Sequence, residues 1–289
     1  MEYVGNVIRP PSEADSIILQ VTVGCSYNKC TFCGAYKDIA FSIKNEATII
    51  RDLQFARMHC RNFKRVFLAD GDVLILSQRR LVRLFYLIHE YLPWVSRISL
   101  YGNAKAIRSK TQNNLQELKT LGLDRVYMGL ESGCDEVLQL IKKGETAETM
   151  ISAAKKMNCS GIFLSVTALL GLGGVSLTER HSDETARVLT AMSPRQVAIL
   201  TLIPLANTEL GQAVLAGKFV LPNPQEILTE LSWLIRHLGD IRCQFHANHA
   251  SSYLPISGRF PKDREDLLAS IEKAKNGTVS LVPEHRRAL

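Results

Sequence analysis

The sequence has no long uninterrupted hydrophobic run and no low-complexity stretch. Its longest apolar segment, residues 162–177, is broken by Ser165, Thr167 and a cluster of glycines, so it is too short and too interrupted to span a membrane. The first sixteen residues contain three acidic side chains and a Pro10-Pro11 pair where a secretory signal has an apolar core. We therefore expect a cytoplasmic protein without membrane association.

Blocks of like charge are also absent. The chain has 35 Lys and Arg against 28 Asp and Glu, a formal net charge of +7, but the basic residues are scattered. This balance suits an anionic partner such as a nucleotide, a phosphorylated metabolite or RNA, and it leaves nucleic-acid binding open. Because cytoplasmic thiols stay reduced, the seven cysteines indicate metal binding or catalysis before disulfides.

Short aliphatic runs alternate with longer stretches of helical spacing, which indicates repeated β/α units. Six runs are predicted to be strands: Ser16–Val23, Arg65–Ala69, Arg97–Tyr101, Arg125–Gly129, Ile162–Leu170 and Gln196–Ile203. Amphipathic helices lie between the first and second runs and between the second and third. Ser77 is a candidate N-cap for the second of these helices. Connections through helices make the strands parallel, so we expect a barrel or an open doubly wound sheet with ligands beyond the carboxyl ends of the strands.

After Pro204 the β/α pattern ends. We interpret the rest as an appendage with a helix near 224–238, a short run at 242–254 and a last helix near 263–274. The tail from Asn276 is expected to be solvated and mobile.

Three cysteines lie within nine positions directly after the first predicted strand: Cys25, Cys30 and Cys33. An iron–sulfur cluster needs thiolates that converge from a turn, and this close spacing supplies them. No fourth cysteine lies nearby, so one iron is left open to a small chelating ligand. A zinc site formed by the same thiolates and a histidine such as His59 is the alternative, although structural zinc sites usually pair two C-x-x-C motifs.

The cysteine loop resembles the signature of the radical S-adenosylmethionine (SAM) superfamily. There three cysteines hold a [4Fe–4S] cluster, an aromatic residue precedes the last cysteine, and S-adenosylmethionine chelates the fourth iron. Phe32 stands at the aromatic position and Gly34 follows the last cysteine. The spacing is C-x4-C-x2-C, one residue longer than the usual C-x3-C-x2-C. The motif style is similar to the coproporphyrinogen-oxidase-like and methylthiotransferase-like branches.

The resemblance implies an α/β fold, a partial (β/α)6 TIM-like barrel of parallel strands with a C-terminal helical appendage. Residues 1–15 would be an N-terminal extension, 16–205 the barrel, and 206–289 an appendage over the barrel mouth.

The same resemblance implies cofactor-binding residues after successive strands. Gly71 and Asp72 match the turn that receives the methionine ammonium, and Asn103 matches a polar contact to the cofactor. Glu131, in Gly-Leu-Glu-Ser-Gly, matches the glutamate that meets the ribose or amino group, and Gly171 begins a glycine segment near adenine. Each of these motifs, taken alone, also suits an ordinary turn or a surface carboxylate.

The implied reaction is reductive cleavage of S-adenosylmethionine to a 5′-deoxyadenosyl radical, which removes hydrogen from a small-molecule or modified-macromolecule substrate. A flavodoxin or ferredoxin would supply electrons. In the appendage, Cys243, His246 and His249 are candidate hydrogen or proton carriers, and a polar packing loop is the alternative. The alternative functions are a non-catalytic cluster-binding protein of the haem-chaperone kind and a zinc-dependent RNA-associated module.

Overall fold

The computed structural model describes residues 1–288 and has a mixed α/β architecture. Its residues form two compact units that share the chain discontinuously. The first unit comprises residues 1–28, 35–128 and 156–164, and the second comprises 29–34, 129–155 and 165 onward. The predicted division at residues 15 and 205 stays a prediction, since the compact units divide the chain elsewhere. No helix among residues 1–288 is long and apolar enough to cross a lipid bilayer.

The first unit is built from a parallel sheet with helices between its strands. Its elements are β1 (Ile17–Gln20), β2 (Thr22–Val23), β3 (Ser42–Ile43), α1 (Glu46–His59), β4 (Arg65–Ala69), α2 (Gln78–Tyr91), β5 (Arg97–Tyr101), α3 (Ala104–Ser109), α4 (Gln112–Thr120) and the first part of β6 (Leu123–Glu131). Strands β1, β4, β5 and β6 are hydrogen-bonded in that order, all parallel. Strands β2 and β3 form a separate antiparallel pair.

Aromatic rings fill one face of this sheet. Phe67, Tyr101 and Tyr127 meet edge to face, with ring centroids 5.1 to 6.0 Å apart. Segment 1–15 packs against the same face, because the buried Glu13 accepts a hydrogen bond from the Tyr127 hydroxyl at 2.6 Å. Burial and the nearby carboxylate raise the pKa of Tyr127 to about 12. Glu13 thus ties the N-terminal extension to the core of the first unit.

The second unit contains α5 (Asp135–Leu140), most of α6 (Ala147–Cys159), most of β7 (Phe163–Leu170), α7 (Thr178–Met192), β8 (Gln196–Thr201), α8 (Glu209–Leu215), α9 (Pro224–His237), β9 (Cys243–Ala247), β10 (Ile256–Phe260) and α10 (Arg264–Lys275). Strands β7, β8 and β9 are parallel, and β10 is antiparallel to β9. Helix α9 begins with a capping box between Asn223 and Glu226, and Pro224 occupies its first turn.

The expectation that the appendage is helical is therefore incomplete. Residues 243–247 and 256–260 form strands, and β9 extends the parallel sheet of the second unit beyond β8. Phe245 is fully buried between exposed Gln244 and half-buried His246, the alternation of a strand with one face in the core. Within each unit, the residues that follow the parallel strands gather at the carboxyl edge of the sheet.

Candidate functional site

In the first unit, the loop that carries Cys25 rests on the turn after β4. The Gly71 N–H donates to the Gly24 carbonyl at 3.3 Å. A Cβ at Gly71 would lie 2.8 Å from the Cys25 Cβ and 3.0 Å from its Cα, so a side chain here would displace the cysteine backbone. Gly71 is thus required to seat the first cysteine of the motif, a contact that the sequence alone does not reveal.

Asp70 fixes the residue before Cys25, although the sequence analysis passed over it. Its buried carboxylate accepts hydrogen bonds from the Gly24 N–H at 2.9 Å and from the Gln20 side-chain amide at 3.0 Å. Burial raises the pKa of this carboxyl group above its ordinary range. Asp70 also has φ of +84°, which a non-glycine residue rarely adopts and which the surrounding hydrogen bonds hold in place.

Asp72 lies at the centre of a hydrogen-bond network that joins three loops. Its fully buried carboxylate accepts from the Ser26 hydroxyl at 2.8 Å and from the Asn103 side-chain amide at 2.7 Å. Burial raises the pKa of Asp72 to about 6. The Asn103 side-chain oxygen in turn accepts from the Ala106 N–H at 2.8 Å and caps α3. The structure thus brings two predicted cofactor-binding residues, Asp72 and Asn103, together with the loop that holds Cys25.

In the second unit, the remainder of the cysteine loop is held by backbone hydrogen bonds. The Thr31 N–H donates to the Ile141 carbonyl and the Leu210 N–H donates to the Thr31 carbonyl, each at 2.9 Å. The Gly34 carbonyl accepts from the Asn207 side chain at 3.2 Å, and a Cβ at Gly34 would lie 2.5 Å from the Asn207 Oδ1. The loop is therefore fixed on both sides of Phe32, which is half-buried.

Glu131 ends β6 with φ of +63°, and its carboxylate folds back over Gly129. A Cβ at Gly129 would lie 2.1 Å from the Glu131 Oε1, so a side chain there would displace the Glu131 carboxylate. The Lys143 ammonium donates to the same oxygen at 3.0 Å, and both side chains are largely buried. A carboxylate held in this way by one lysine has further acceptor positions for a pair of hydroxyl groups. Lys143 sets the orientation of the glutamate, a role that the sequence analysis did not assign.

Gly171 follows β7 in a left-handed turn, with φ of +85°. Its N–H donates to the carboxylate of Glu230, a fully buried residue of α9. Glu230 was not predicted from the sequence, because it lies 59 positions from Gly171.

The three candidate carriers of the appendage lie at different places. Cys243 begins β9 at the amino edge of the parallel strands, opposite the edge where ligands gather, and burial raises the pKa of its thiol to about 12. Cys243 is therefore separated from the carboxyl edge, and its role as a hydrogen carrier stays a prediction. His246 lies within β9, half-buried and paired in register with Ala198 of β8.

His249 lies at the carboxyl edge of the second unit's sheet. Its Nδ1 accepts from the Ser251 N–H at 3.1 Å, and the Ser251 hydroxyl oxygen, 2.9 Å from this nitrogen, accepts from the Thr201 N–H at the end of β8. Nδ1 is thus an acceptor, so the proton of the neutral ring is on Nε2. Burial lowers the pKa of His249 below its ordinary value.

Most of the tail beyond Asn276 is exposed to solvent, as expected, but it is anchored near its end by Arg287. The Arg287 side chain is only 3% exposed, and its guanidinium donates to the carbonyls of Leu202 and Ser251 at 3.0 and 2.7 Å. It also stacks on Tyr253 at 3.9 Å from the ring centroid. Segment 276–288 is therefore docked on loop 249–253, because a buried cation with several acceptors holds it there.

The donor set of the cysteine motif suits an iron–sulfur cluster. None of the seven cysteines, all within residues 1–288, is joined in a disulfide, and Cys25, Cys30 and Cys33 are partly exposed. Cys25 belongs to the first unit and the other two to the second. No group of three or more His, Cys, Asp or Glu side chains in the described part of the chain is already arranged as a metal site.

The zinc alternative with His59 does not fit the structure. His59 ends α1, the helix that leads into the amino end of β4, whereas Cys25 contacts the turn after the carboxyl end of β4. The two residues therefore lie at opposite edges of the sheet of the first unit.

Comparison with known proteins gives low identities over much of the chain. The 4′-phospho-dehydrooxetanocin synthase of Priestia megaterium is 22% identical over 240 residues, 76% of this chain and 32% of that protein. The haem chaperone HemW of Bacillus subtilis is 23% identical over 173 residues, 59% of this chain and 44% of that protein. The chain thus spans less than half the length of either curated relative.

Solved structures share the fold. Coproporphyrinogen III oxidase of Escherichia coli, described as a radical SAM enzyme, matches with a TM-score of 0.56 and 18% identity over 76% of this chain and 51% of that chain. Methylornithine synthase matches with the same TM-score and 15% identity over 88% of this chain and 68% of that chain. These likenesses confirm the predicted α/β fold class. The family model of the radical SAM superfamily matches residues 19–186, more than half of the chain. The chain therefore belongs to the radical SAM superfamily.

Proposed function

We propose that the protein is a radical SAM enzyme that cleaves S-adenosylmethionine reductively and removes hydrogen from a small-molecule or modified-macromolecule substrate. The observation that carries this proposal is the C-x4-C-x2-C loop, which lies inside the region matched by the superfamily model and is seated on a glycine turn at Gly71. Superfamily membership supports the chemistry, and the substrate is not identified by the site.

Cys25, Cys30 and Cys33 are the proposed ligands of a [4Fe–4S] cluster. When bound, the cluster supplies the electron that cleaves S-adenosylmethionine to methionine and a 5′-deoxyadenosyl radical. The protein contributes position: Asp72 links the cysteine loop, through Ser26, to Asn103. Because both carboxylate oxygens of Asp72 already accept hydrogen bonds, we propose that it orients the cysteine loop as well as favouring a bound ammonium group.

Glu131 is the proposed acceptor for the hydroxyl groups of the adenosyl moiety. Lys143 holds one carboxylate oxygen, which leaves the other oriented for a ligand. The glycine turn at Gly171 presents bare backbone to the adenine. Phe32 and Gly34 complete the proposed cofactor contacts from the cysteine loop.

His249 is the proposed proton carrier on the substrate side. The hydrogen bonds from Ser251 engage Nδ1, so the proton on Nε2 is not used by them. The half-buried ring is anchored to the end of β8 through Ser251. His246 stays a weaker candidate. We place the enzyme in the cytoplasm, where thiols stay reduced, with flavodoxin or ferredoxin as the electron donor.

The test is anaerobic reconstitution with iron and sulfide, followed by incubation with S-adenosylmethionine and dithionite. The proposal predicts 5′-deoxyadenosine from the wild-type protein and none from the Cys33→Ala variant. A bound cluster without 5′-deoxyadenosine would support a non-catalytic role of the haem-chaperone kind. Tight zinc binding without a cluster would contradict the proposal altogether.

A further inference from the structure

We propose that Glu230 and His181 are positioning residues for the glycine turn 171–174, and that they hold this turn ready for S-adenosylmethionine. The inference rests on the proposed function, because it assigns the turn to cofactor binding. Glu230 comes from α9, in the part of the chain beyond the predicted barrel, and His181 comes from α7.

The Glu230 carboxylate is aimed at the turn. The Gly171 N–H donates to its two oxygens at 3.1 and 3.2 Å, and Glu230 has no exposed surface. The turn is tight as well, since a Cβ at Gly171 would lie 3.2 Å from the Ile227 Cδ1, on the same helix. A buried carboxylate that accepts a backbone N–H is a strong, charge-assisted hydrogen bond. Helix α9 therefore fixes the first residue of the turn.

His181 fixes the carboxylate in turn. Its Nδ1 lies 2.8 Å from the Glu230 Oε1, and the ring is 1% exposed. Its Nε2 is buried and has no hydrogen-bond partner among the described residues. An unsatisfied buried polar atom costs about 1–3 kcal/mol, and apolar side chains of similar volume often replace a buried ionic pair without loss of stability. The Glu230–His181 pair therefore contributes little to stability. This indicates that its role is to position the turn.

The consequence is a turn that is ordered before the ligand arrives. A backbone held in its binding conformation loses little entropy on association, so binding is tighter than to a loose turn. Removal of the Glu230 carboxylate leaves the Gly171 N–H buried without an acceptor and releases the turn from α9. We therefore expect the affinity for S-adenosylmethionine to fall while the cysteine motif keeps its cluster.

The chain offers a matched control at the same helix contact. The Ser182 hydroxyl donates to the Glu230 backbone carbonyl at 3.0 Å and is fully buried. The Ser182→Ala variant thus weakens the contact between α7 and α9 and leaves the carboxylate and Gly171 untouched. The Glu230→Gln variant keeps one side-chain oxygen that can accept from the Gly171 N–H. It replaces the other carboxylate oxygen with an amide nitrogen, and so it weakens the contact to His181.

The experiment compares wild-type protein with Glu230→Ala, Glu230→Gln and Ser182→Ala as full-length chains. Hydrogen exchange is measured on peptides that cover residues 169–177, and the Kd for S-adenosylmethionine is measured on cluster-loaded protein. Glu230→Ala should speed exchange at the turn and raise Kd about tenfold or more, and Glu230→Gln should give an intermediate effect. Ser182→Ala should lower the Tm without either change.

Two results would overturn the inference, and they are distinguishable. If the wild-type protein binds S-adenosylmethionine and the Glu230 variants bind it equally well, the pair is merely structural and the proposed function stands. If cluster-loaded wild-type protein does not bind S-adenosylmethionine, the proposed function fails and the inference fails with it. Should Glu230→Ala not fold, Glu230→Gln and His181→Gln decide by the same two measurements.

Discussion

Individual residues at the carboxyl edges of the sheets owe their properties to burial. Asp72 is kept out of water between Ser26 and Asn103, and burial raises its pKa to about 6. The resemblance to the radical SAM superfamily named Asp72, Asn103 and Glu131, at or after the ends of predicted strands. It could not identify Asp70, Lys143 or Glu230, since the partners that give them a role are distant in the chain or require a backbone conformation that no pattern reveals.

Cys243 should be far less reactive than the exposed thiol of Cys159. Burial raises its pKa to about 12, so almost no thiolate exists near pH 8, whereas Cys159 is exposed. With iodoacetamide near pH 8, we expect Cys243 to be alkylated at least about a hundredfold more slowly than Cys159. Mass spectrometry of the two peptides measures both rates in one sample. Equal rates would show that the start of β9 is open to solvent.

His249 should stay neutral to lower pH than an ordinary histidine. Burial lowers its pKa in the folded protein below the value near 6.5 of the unfolded chain, so the folded state binds fewer protons. Stability that His249 contributes is present above pH of about 6.5 and is lost as the pH falls through the folded pKa. Wild-type protein should therefore lose more unfolding free energy than His249→Gln between about pH 6.5 and 5, as measured by urea denaturation. The opposite sign would place His249 beside an acidic partner.

At the scale of elements, a predicted strand matches the structure where its whole length pairs with neighbouring strands of the same sheet. Strands Arg65–Ala69 and Arg97–Tyr101 are confirmed to the residue, because each is a short buried run between two parallel neighbours. The predicted strand Ser16–Val23 is interrupted at Val21, since residues 22–23 leave β1 and pair with β3. The cap of α2 by Ser77 is confirmed, with its side chain accepting from the Arg80 N–H.

Loop 249–253 and segment 276–288 could not be predicted from the sequence. The contact between Arg287 and Leu202 joins residues 85 positions apart, and a basic residue in a polar segment looks solvated when its acceptors are unknown. Strand β9 was not predicted because its alternation of buried and exposed residues covers only five positions, too short a signal to stand out in a polar run.

Arg287 should be the residue that docks segment 276–288. The Arg287→Ala variant loses hydrogen bonds to Ser251 and Leu202 together with the stack on Tyr253, and we expect about 3 kcal/mol of lost stability. Limited proteolysis should cut within 276–288 faster in this variant, and the resonances of His249 should shift. Arg286→Ala, which removes an exposed neighbouring charge, should behave like the wild type. Equal protection of all three proteins would contradict the docking.

At the scale of the whole molecule, a radical SAM fold carries one cysteine motif, Cys25, Cys30 and Cys33. Membership of the superfamily follows from the match over residues 19–186, and the low identities to relatives leave the substrate open. Helix α9, beyond the predicted barrel, contacts the turn after β7 through Glu230.

The central claim is that Cys25, Cys30 and Cys33 hold a four-iron cluster, and the most direct measurement is the iron and acid-labile sulfide content after anaerobic reconstitution. The account predicts about four of each per chain in the wild type and in the control Cys159→Ala. Each of the variants Cys25→Ala, Cys30→Ala and Cys33→Ala should lose most of both. Full iron and sulfide in a variant that lacks all three thiols would contradict the claim.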